Sequence, residues 1–129
     1  MNKNNIDSQK VLAQTELLKV LCKQMEDAKV EDITIFDLGD NNQLASYVVI
    51  GTGTSSKHIS SCSEKLADKI DEVYGEPQDI AIEGSNKNSK WILIDLQDII
   101  VHLFTAEARE MYNLEEILQK RAASSNSTV

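Results

Sequence analysis

The central pattern of the chain lies between Trp91 and Leu118. Two short apolar runs, Trp91–Ile94 and Ile99–Phe104, are rich in β-branched and aromatic residues, and polar positions separate them, as in a β-hairpin. From Ala106 onward, apolar residues recur near the helical period, with acids early and bases late. The pattern predicts a hairpin that is followed by one helix or by two short helical turns.

The register of this hairpin depends on its turn. If Leu96-Gln97 is a two-residue turn, Trp91 lies opposite His102 and Asp95 lies opposite Asp98. Two facing carboxylates would repel each other, and Leu96-Gln97 lacks the Gly or Asn that such turns favour. A longer loop, with the register shifted by one or two residues, is therefore the alternative.

On the simple register, the two faces of the hairpin differ in character. The first face is wholly aliphatic, and we expect it to enter the core; it carries Ile92, Ile94, Ile99, Val101 and Leu103. The second face mixes aromatic, aliphatic, acidic and imidazole groups; it carries Trp91, Leu93, Asp95, Asp98, Ile100, His102 and Phe104. Such a mixture is more typical of a protein-binding patch than of plain core or plain solvent surface.

The residues before the hairpin alternate between helical and strand patterns. They predict a helix from a cap at Ser8 to Lys29, a strand Ile33–Leu38, a turn Asp37–Gln43, a strand Tyr47–Ile50, a Gly-rich turn, a helix from a cap at Ser55 or Ser56 to Gly75, a short strand at Ile80 and Ile82, and a loop Glu83–Lys90. This order predicts an α/β fold in which a mixed sheet of about five strands carries packed helices. We expect a single domain over residues 1–118, frayed residues 1–6 and a disordered tail over 119–129.

Length and composition favour one compact, soluble domain. A chain of 129 residues can bury enough surface to fold without disulfides or metal, and no apolar run approaches the length that spans a bilayer. The start MNKNNIDSQK lacks the features of a secretory signal or a transit peptide. Cys22 and Cys62 stand alone, so we expect two small core residues in a reducing cytoplasm rather than a metal or redox site.

The charge balance bears on the kind of partner. Thirteen basic against twenty-one acidic residues give a net charge of −8 and a pI near 4.7. Such a surface repels phosphate, which disfavours direct nucleic-acid binding. A basic protein partner is instead favoured by electrostatic complementarity.

Two motifs suggest enzyme chemistry, and each has a plainer interpretation. The turn GTGTSS (residues 51–56) before a helix could present backbone N–H groups to an anion, but it lacks GK[ST] and a third glycine, which favours a structural turn. Asp95 and Asp98 have a spacing that resembles a metal-holding pair, but solvated acids at a hairpin tip are favoured. His102 has no nucleophile motif to serve, so a packed or interface histidine is favoured over a general base. Trp91 is either a core residue or an interface anchor.

A set of motifs nevertheless resembles one known family. The order and spacing of Gly51-Thr52-Gly53-Thr54-Ser55-Ser56-x-His58, Glu83-Gly84, Trp91, Asp95-Leu96-x-Asp98-x-Ile100-Val101-His102-x-Phe104 and Arg109-x-x-Tyr112-x-Leu114-Glu115 resemble the ribosomal silencing factor family, RsfS or Iojap. The resemblance runs from about Ser8 to Leu118. It is specific as a combination, because W-x-x-x-D-x-x-D-x-x-V-H is followed by R-x-x-Y-x-L-E.

The resemblance implies a translation regulator that catalyses no reaction and needs no cofactor. Members of the family bind the large ribosomal subunit through its protein uL-fourteen and prevent the small subunit from docking when nutrients are scarce, and their fold is similar to nucleotidyltransferases without the catalytic acids. By position, the resemblance implies a partner-binding role for Trp91, Asp95, Leu96, Asp98, His102, Tyr112 and Glu115, with Trp91 and Tyr112 favoured. A nucleotidyltransferase-like enzyme and a large-subunit assembly factor are the alternatives, and monomer and homodimer both stay open.

Two positions depart from the family pattern. The family usually has Asp where Ser46 stands, which leaves any role of that acid unfilled here. It usually ends its last helix in Leu-Trp, where this chain has Ile117-Leu118, so one aromatic side chain is missing from the terminal helix.

Overall fold

The computed structural model describes residues 3–39, 45–78, 80–84 and 88–126, and side chains within these ranges from residue 14 to residue 121. The elements are α1 Lys3–Asp27, β1 Glu31–Asp37, β2 Tyr47–Gly53, α2 Ser56–Tyr74, β3 Ala81–Glu83, β4 Trp91–Asp95, β5 Ile99–Thr105, α3 Ala106–Tyr112 and α4 Leu114–Asn126. In these ranges, five strands form one sheet in the order β1-β2-β5-β4-β3. The pair β2–β5 is parallel and the other pairs are antiparallel. The predicted α/β fold with a mixed sheet is confirmed.

Helices α1 and α2 cover one face of the sheet and close the main core. The predicted aliphatic face of the hairpin lies here, and its five residues are each at most 1% exposed. They pack in one cluster with Leu21 and Met25 of α1 and with Ile59 and Leu66 of α2. Helix α2 begins at its cap Ser55, whose Oγ accepts from the His58 N–H at 3.0 Å, as the sequence predicts.

The second face of the sheet is covered unevenly. Helix α3 packs on β5 and β2, and α4 packs on β1. Under them, a second cluster forms around Phe36, Val48, Ile50, Ile100, Phe104, Ala108 and Leu118. Towards β4 and β3 the same face stays partly open, because Trp91 and Leu93 are only half-buried and Glu83 is exposed. Leu118 is 2% exposed in this cluster, whereas Ile117 is 53% exposed.

The hairpin has the longer loop, and the register from a two-residue turn is wrong. Trp91 pairs with Phe104, Leu93 with His102 and Asp95 with Ile100, which is a shift of two residues. Because the shift is even, every side chain keeps the face that the simple register assigns to it. Asp98 is the exception, since it lies in the loop before β5. The Asp95 carboxylate does not face Asp98 across the hairpin but accepts from the Gln97 N–H at 2.8 Å, which stabilises the turn at Gln97, whose φ is 74°.

The helix ends differ most from the predictions. Helix α1 begins at Lys3 rather than at Ser8, so the expected fraying is wrong for residues 3–6. Of the two alternatives predicted for the last helical segment, the structure has two helices, because Asn113 takes the left-handed conformation (φ 47°, ψ 47°). Helix α4 then continues to Asn126, so the disordered tail predicted for 119–129 is wrong for residues 119–126. Residues 127–129, most of the predicted turn Asp37–Gln43 and residues 85–87 of the predicted loop lie outside the described residues.

Candidate functional site

Four side chains form an aromatic cluster where the covered and open parts of the second face meet. They are Trp91 of β4, His102 and Phe104 of β5, and Tyr112 of α3. The centroid of the Trp91 ring lies 4.8 Å from Tyr112, 5.0 Å from Phe104 and 5.7 Å from His102. Strand pairing explains the first three residues, since Trp91 lies directly opposite Phe104 and diagonally opposite His102. Helix α3 then lays Tyr112 on the indole.

The cluster runs from the core to the surface. Phe104 is 1% exposed, His102 is 7% exposed, Trp91 is half-buried and Tyr112 is 50% exposed. Its neighbour Met111 is 68% exposed. The two outer rings therefore present apolar surface that is backed by buried aromatic side chains, which is the arrangement of an interface anchor rather than of a closed core.

A shallow cavity lies beside the cluster on the open part of the sheet. It has a volume of about 210 Å³ and is lined by Glu83, Gly84, Trp91 and Leu93. Gly84 has a φ of 83°, and a Cβ there would collide with the carbonyl oxygen of Trp91. A residue with a side chain would be strained at this position, so the glycine lets the turn after β3 approach the backbone of β4 closely.

His102 acts as a packed hydrogen-bond acceptor. The Trp91 Nε1–H donates to His102 Nδ1 at 3.0 Å, which fixes the orientation of the indole. Burial lowers the pKa of His102 to about 4, so the imidazole is neutral at neutral pH and Nδ1 keeps its lone pair for the indole. The geometry favours the packed or interface interpretation over a general base, because that nitrogen is already engaged.

Arg109 anchors helix α3 to three other elements. Its Nε donates to Glu115 Oε1 at 2.6 Å, on the far side of the break at Asn113. Its other two nitrogens donate to the sheet: Nη1 to the Asp32 carbonyl at 2.7 Å and to Thr52 Oγ1 at 2.8 Å, and Nη2 to Thr34 Oγ1 at 3.0 Å. The Arg109 side chain is 13% exposed and that of Glu115 is 31% exposed. Glu115, a predicted partner-binding residue, therefore has an intramolecular partner.

The three predicted residues of the hairpin tip are not brought into the aromatic cluster. Asp95 lies four positions along β4 from Trp91, which is roughly 13 Å in a strand. Leu96 packs against the α1–α2 core, and the Asp98 carbonyl accepts from the backbone N–H groups of Ser46 and Tyr47. Together these three residues line a separate groove of about 260 Å³. Of the seven predicted residues, the structure thus groups Trp91, His102 and Tyr112 and leaves the other four apart.

The GTGTSS turn has the geometry of a structural turn. A Cβ at Gly53 would collide with the side chain of Ile59, so this glycine allows the start of α2 to pack closely on β2. The Thr54 N–H donates to His58 Nδ1 at 2.9 Å, and the His58 N–H donates to Ser55 Oγ at 3.0 Å. These N–H groups are engaged within the chain, which agrees with the plainer of the two interpretations.

The described part of the chain contains neither a cluster of metal-ligating side chains nor a helix suited to span a membrane. There, no three His, Cys, Asp or Glu side chains lie together as a set that could hold a metal ion. No helix in those ranges is both long and apolar enough to cross a membrane.

The seven predicted partner-binding residues do not include Arg109 or Phe104, although Phe104 lies on the predicted mixed face of the hairpin and both residues stand in the family motif. Phe104 could have been found from the longer hairpin loop, since a shift of two residues places it opposite Trp91. For Arg109 the sequence offers its place in the R-x-x-Y-x-L-E motif, three residues before Tyr112, which places both on one turn of a helix. Its partners Thr34 and Thr52 lie 75 and 57 residues away, so no local pattern reports them.

A family model and several relatives of known name identify one family. A family model described as "Ribosomal silencing factor during starvation" matches residues 11–128. The ribosomal silencing factor RsfS of Zymomonas mobilis is 37% identical over 101 residues, which cover 78% of this chain and 74% of the relative. RsfS of Bacillus subtilis is 32% identical over 104 residues, covering 81% and 86% of the two chains. A crystal structure of a protein from Chromobacterium violaceum matches with a TM-score of 0.73 at 25% identity, covering 81% of this chain and 85% of that one.

Proposed function

Because the chain belongs to the ribosomal silencing factor family RsfS, we propose that it binds the large ribosomal subunit through ribosomal protein uL-fourteen and blocks association with the small subunit when nutrients are limiting. The family name describes a regulatory role. We therefore propose that residues 1–118 act in the cytoplasm as one domain without catalysis or a cofactor. The observation that carries the proposal is the half-exposed aromatic cluster on the open part of the sheet.

Trp91 and Tyr112 are the proposed anchors of the partner surface. Trp and Tyr dominate the residues that carry binding energy in protein interfaces, where a rigid aromatic ring buries much area at little entropic cost. Here the two rings touch each other, and their inner neighbours Phe104 and His102 are buried. The surface is therefore largely formed before a partner arrives, which lowers the cost of binding.

The charge of the chain supports a basic partner. The net charge is −8, and the rim of the aromatic cluster carries the exposed acid Glu83, which lines the cavity beside Trp91. A basic ribosomal protein would be attracted to such a rim. We expect the association to weaken as salt concentration rises, because the Debye length falls from about 10 Å at 0.1 M to about 3 Å at 1 M.

The remaining predicted residues have subsidiary roles in this proposal. His102 holds the Trp91 indole, and Glu115 holds Arg109. Asp95, Leu96 and Asp98 lie at the margin of the partner surface. A standard interface covers about 800 Å² on each partner, so one partner that is centred on Trp91 can reach the hairpin tip.

The nucleotidyltransferase-like alternative has less support. It needs a free anion site at residues 51–56 and a pair of acids for metal, whereas the turn's N–H groups at Thr54 and His58 are engaged and the Asp95 carboxylate accepts from Gln97. We expect no Mg²⁺-dependent binding of a nucleoside triphosphate by isothermal titration. Micromolar binding that Asp95→Ala abolishes would favour the enzyme instead.

Co-sedimentation with separated ribosomal subunits tests the proposal. We expect the wild-type protein to pellet with the large subunit and not with the small one, and Tyr112→Ala to lose most of this binding. The matched control is Tyr74→Ala, because Tyr74 is 52% exposed but lies at the end of α2 beside the hairpin tip. We expect it to bind like the wild type, since contacts at the rim of an interface contribute little.

Circular dichroism must first show that both variants are folded, so that a loss of binding reflects the altered surface. No pelleting of the wild type with large subunits contradicts the proposed function. Loss of binding in Tyr74→Ala, with wild-type binding in Tyr112→Ala, places the surface at the hairpin tip rather than at the aromatic cluster. A subunit-joining assay then separates silencing from assembly, because only a silencing factor lowers the joining of mature subunits.

A further inference from the structure

The contacts of Arg109 fix the position of a helix that is too short to hold itself in place. Helix α3 has seven residues, well below the length at which an isolated helix is stable in water. It ends at Asn113, where the chain turns into α4. Of its residues from Ala106 to Tyr112, Ala108 is the one that is buried in the core, so little apolar area holds the helix on the sheet. A second anchor is needed to define its direction.

The second anchor is the rigid, planar guanidinium of Arg109. Its four hydrogen bonds reach β1, β2 and α4 at distances between 2.6 and 3.0 Å. One acceptor is the carbonyl of Asp32, whose φ is 50° and which lies at the irregularity in the pairing of β1. The planar fork of arginine suits such a divergent set of acceptors, whereas the compact ammonium of lysine does not.

Tyr112 depends on this anchor more than on its own burial. It lies three residues after Arg109, so both project from neighbouring positions on one helical turn. Half of the Tyr112 side chain is exposed, and its ring contacts Trp91 and Phe104. A small rotation of α3 would therefore lift the phenol from the indole at little cost in buried area.

We propose that Arg109 is a positioning residue: it fixes the junction of α3 and α4 and so holds Tyr112 against Trp91, which keeps the partner surface preformed. The consequence for ribosome binding rests on the proposed function. The consequence for the geometry of the cluster does not, and it can be measured on the isolated protein.

Intrinsic fluorescence tests the geometry, because Trp91 is the single tryptophan of the chain. In Arg109→Lys we expect acrylamide to quench Trp91 more strongly than in the wild type, up to the level of Tyr112→Ala. The matched control is Lys120→Met on α4, which removes the exposed ion pair of Lys120 with Glu116, at 3.5 Å, and leaves Arg109 untouched. The control should be quenched like the wild type. Wild-type quenching in a folded Arg109→Lys overturns the proposal.

Binding to large subunits tests the consequence. Arg109→Lys should weaken binding by roughly tenfold if the free junction must be reordered on association. The same substitution in a Tyr112→Ala background should have no further effect, because Arg109 acts through Tyr112. Additive losses in this double-mutant cycle would show that Arg109 contributes to the interface in another way, and they overturn the proposal.

The quenching and binding experiments test the role of Arg109 separately from the proposed function. If the wild type binds no subunit, the proposed function fails while the fluorescence arm still decides whether Arg109 positions Tyr112. If Arg109→Lys does not fold, Glu115→Gln replaces it, since that variant leaves the three hydrogen bonds to the sheet in place and weakens only the link to α4. We then expect the same increase in quenching at smaller size, and its absence overturns the proposal.

Discussion

The protonation of His102 should make the stability of the fold depend on pH in a defined window. Burial lowers its pKa from an ordinary value of 6.5 to about 4 in the folded protein. Between these values the unfolded chain binds a proton that the folded chain does not, so stability rises with pH. The contribution of the neutral imidazole is fully present above pH 6.5 and is lost as the pH falls toward 4.

The size of the effect follows from the same two values. The full difference is roughly 3 kcal/mol, because each pKa unit corresponds to about 1.4 kcal/mol. About 2 kcal/mol of it should be lost between pH 7 and pH 5. In the folded protein the imidazole stays neutral over this range, so the Trp91 Nε1–H bond to Nδ1 persists until the pH approaches 4.

Urea unfolding at pH 7, 6 and 5, followed by circular dichroism, measures this contribution. The comparison is with His102→Asn, whose side-chain carbonyl can replace Nδ1 as acceptor and does not titrate in this range. All other residues are the same in the two proteins, so their contributions to the pH dependence cancel in the difference. We expect the wild type to lose about 2 kcal/mol more than the variant between pH 7 and pH 5. Parallel pH profiles would refute the assignment of His102 as a buried neutral group.

Two further predictions concern the core. Gly53→Ala should lower the free energy of unfolding by about 1–3 kcal/mol, since the new methyl group collides with Ile59, and urea unfolding would show no change if α2 can move away. The Cys62 thiol, whose pKa burial raises to about 11 from 9.0, should react with Ellman's reagent at least about 100-fold more slowly in the native protein than in urea at pH 8; equal rates would mean that Cys62 is accessible.

Much of the fold could be predicted because it depends on local periodicity. The alternation in Trp91–Ile94 and Ile99–Phe104 identified two strands and separated their core face from the mixed face. The caps of α2 at Ser55 and Gly75 could be predicted for the same reason, because capping depends on residues close together in the sequence. The helix ends at Lys3 and Asn126 could not be predicted from the sequence, because polar residues at a chain end are compatible with both a helix and a disordered tail.

The candidate site, like the fold, could be predicted only where it depends on residues close together in the sequence. The sequence by itself determined the residue types, the second face of the hairpin and the presence of Trp91, His102 and Tyr112 in a family motif. Only the tertiary structure decided the hairpin register, the direction of α3 and the contacts of Arg109, so only it showed that Tyr112 lies on Trp91 while Asp95 lies at the other end of β4. The physical reason is distance along the chain. Side-chain periodicity predicts contacts between residues a few positions apart, whereas the Arg109 guanidinium donates hydrogen bonds to groups more than fifty residues away.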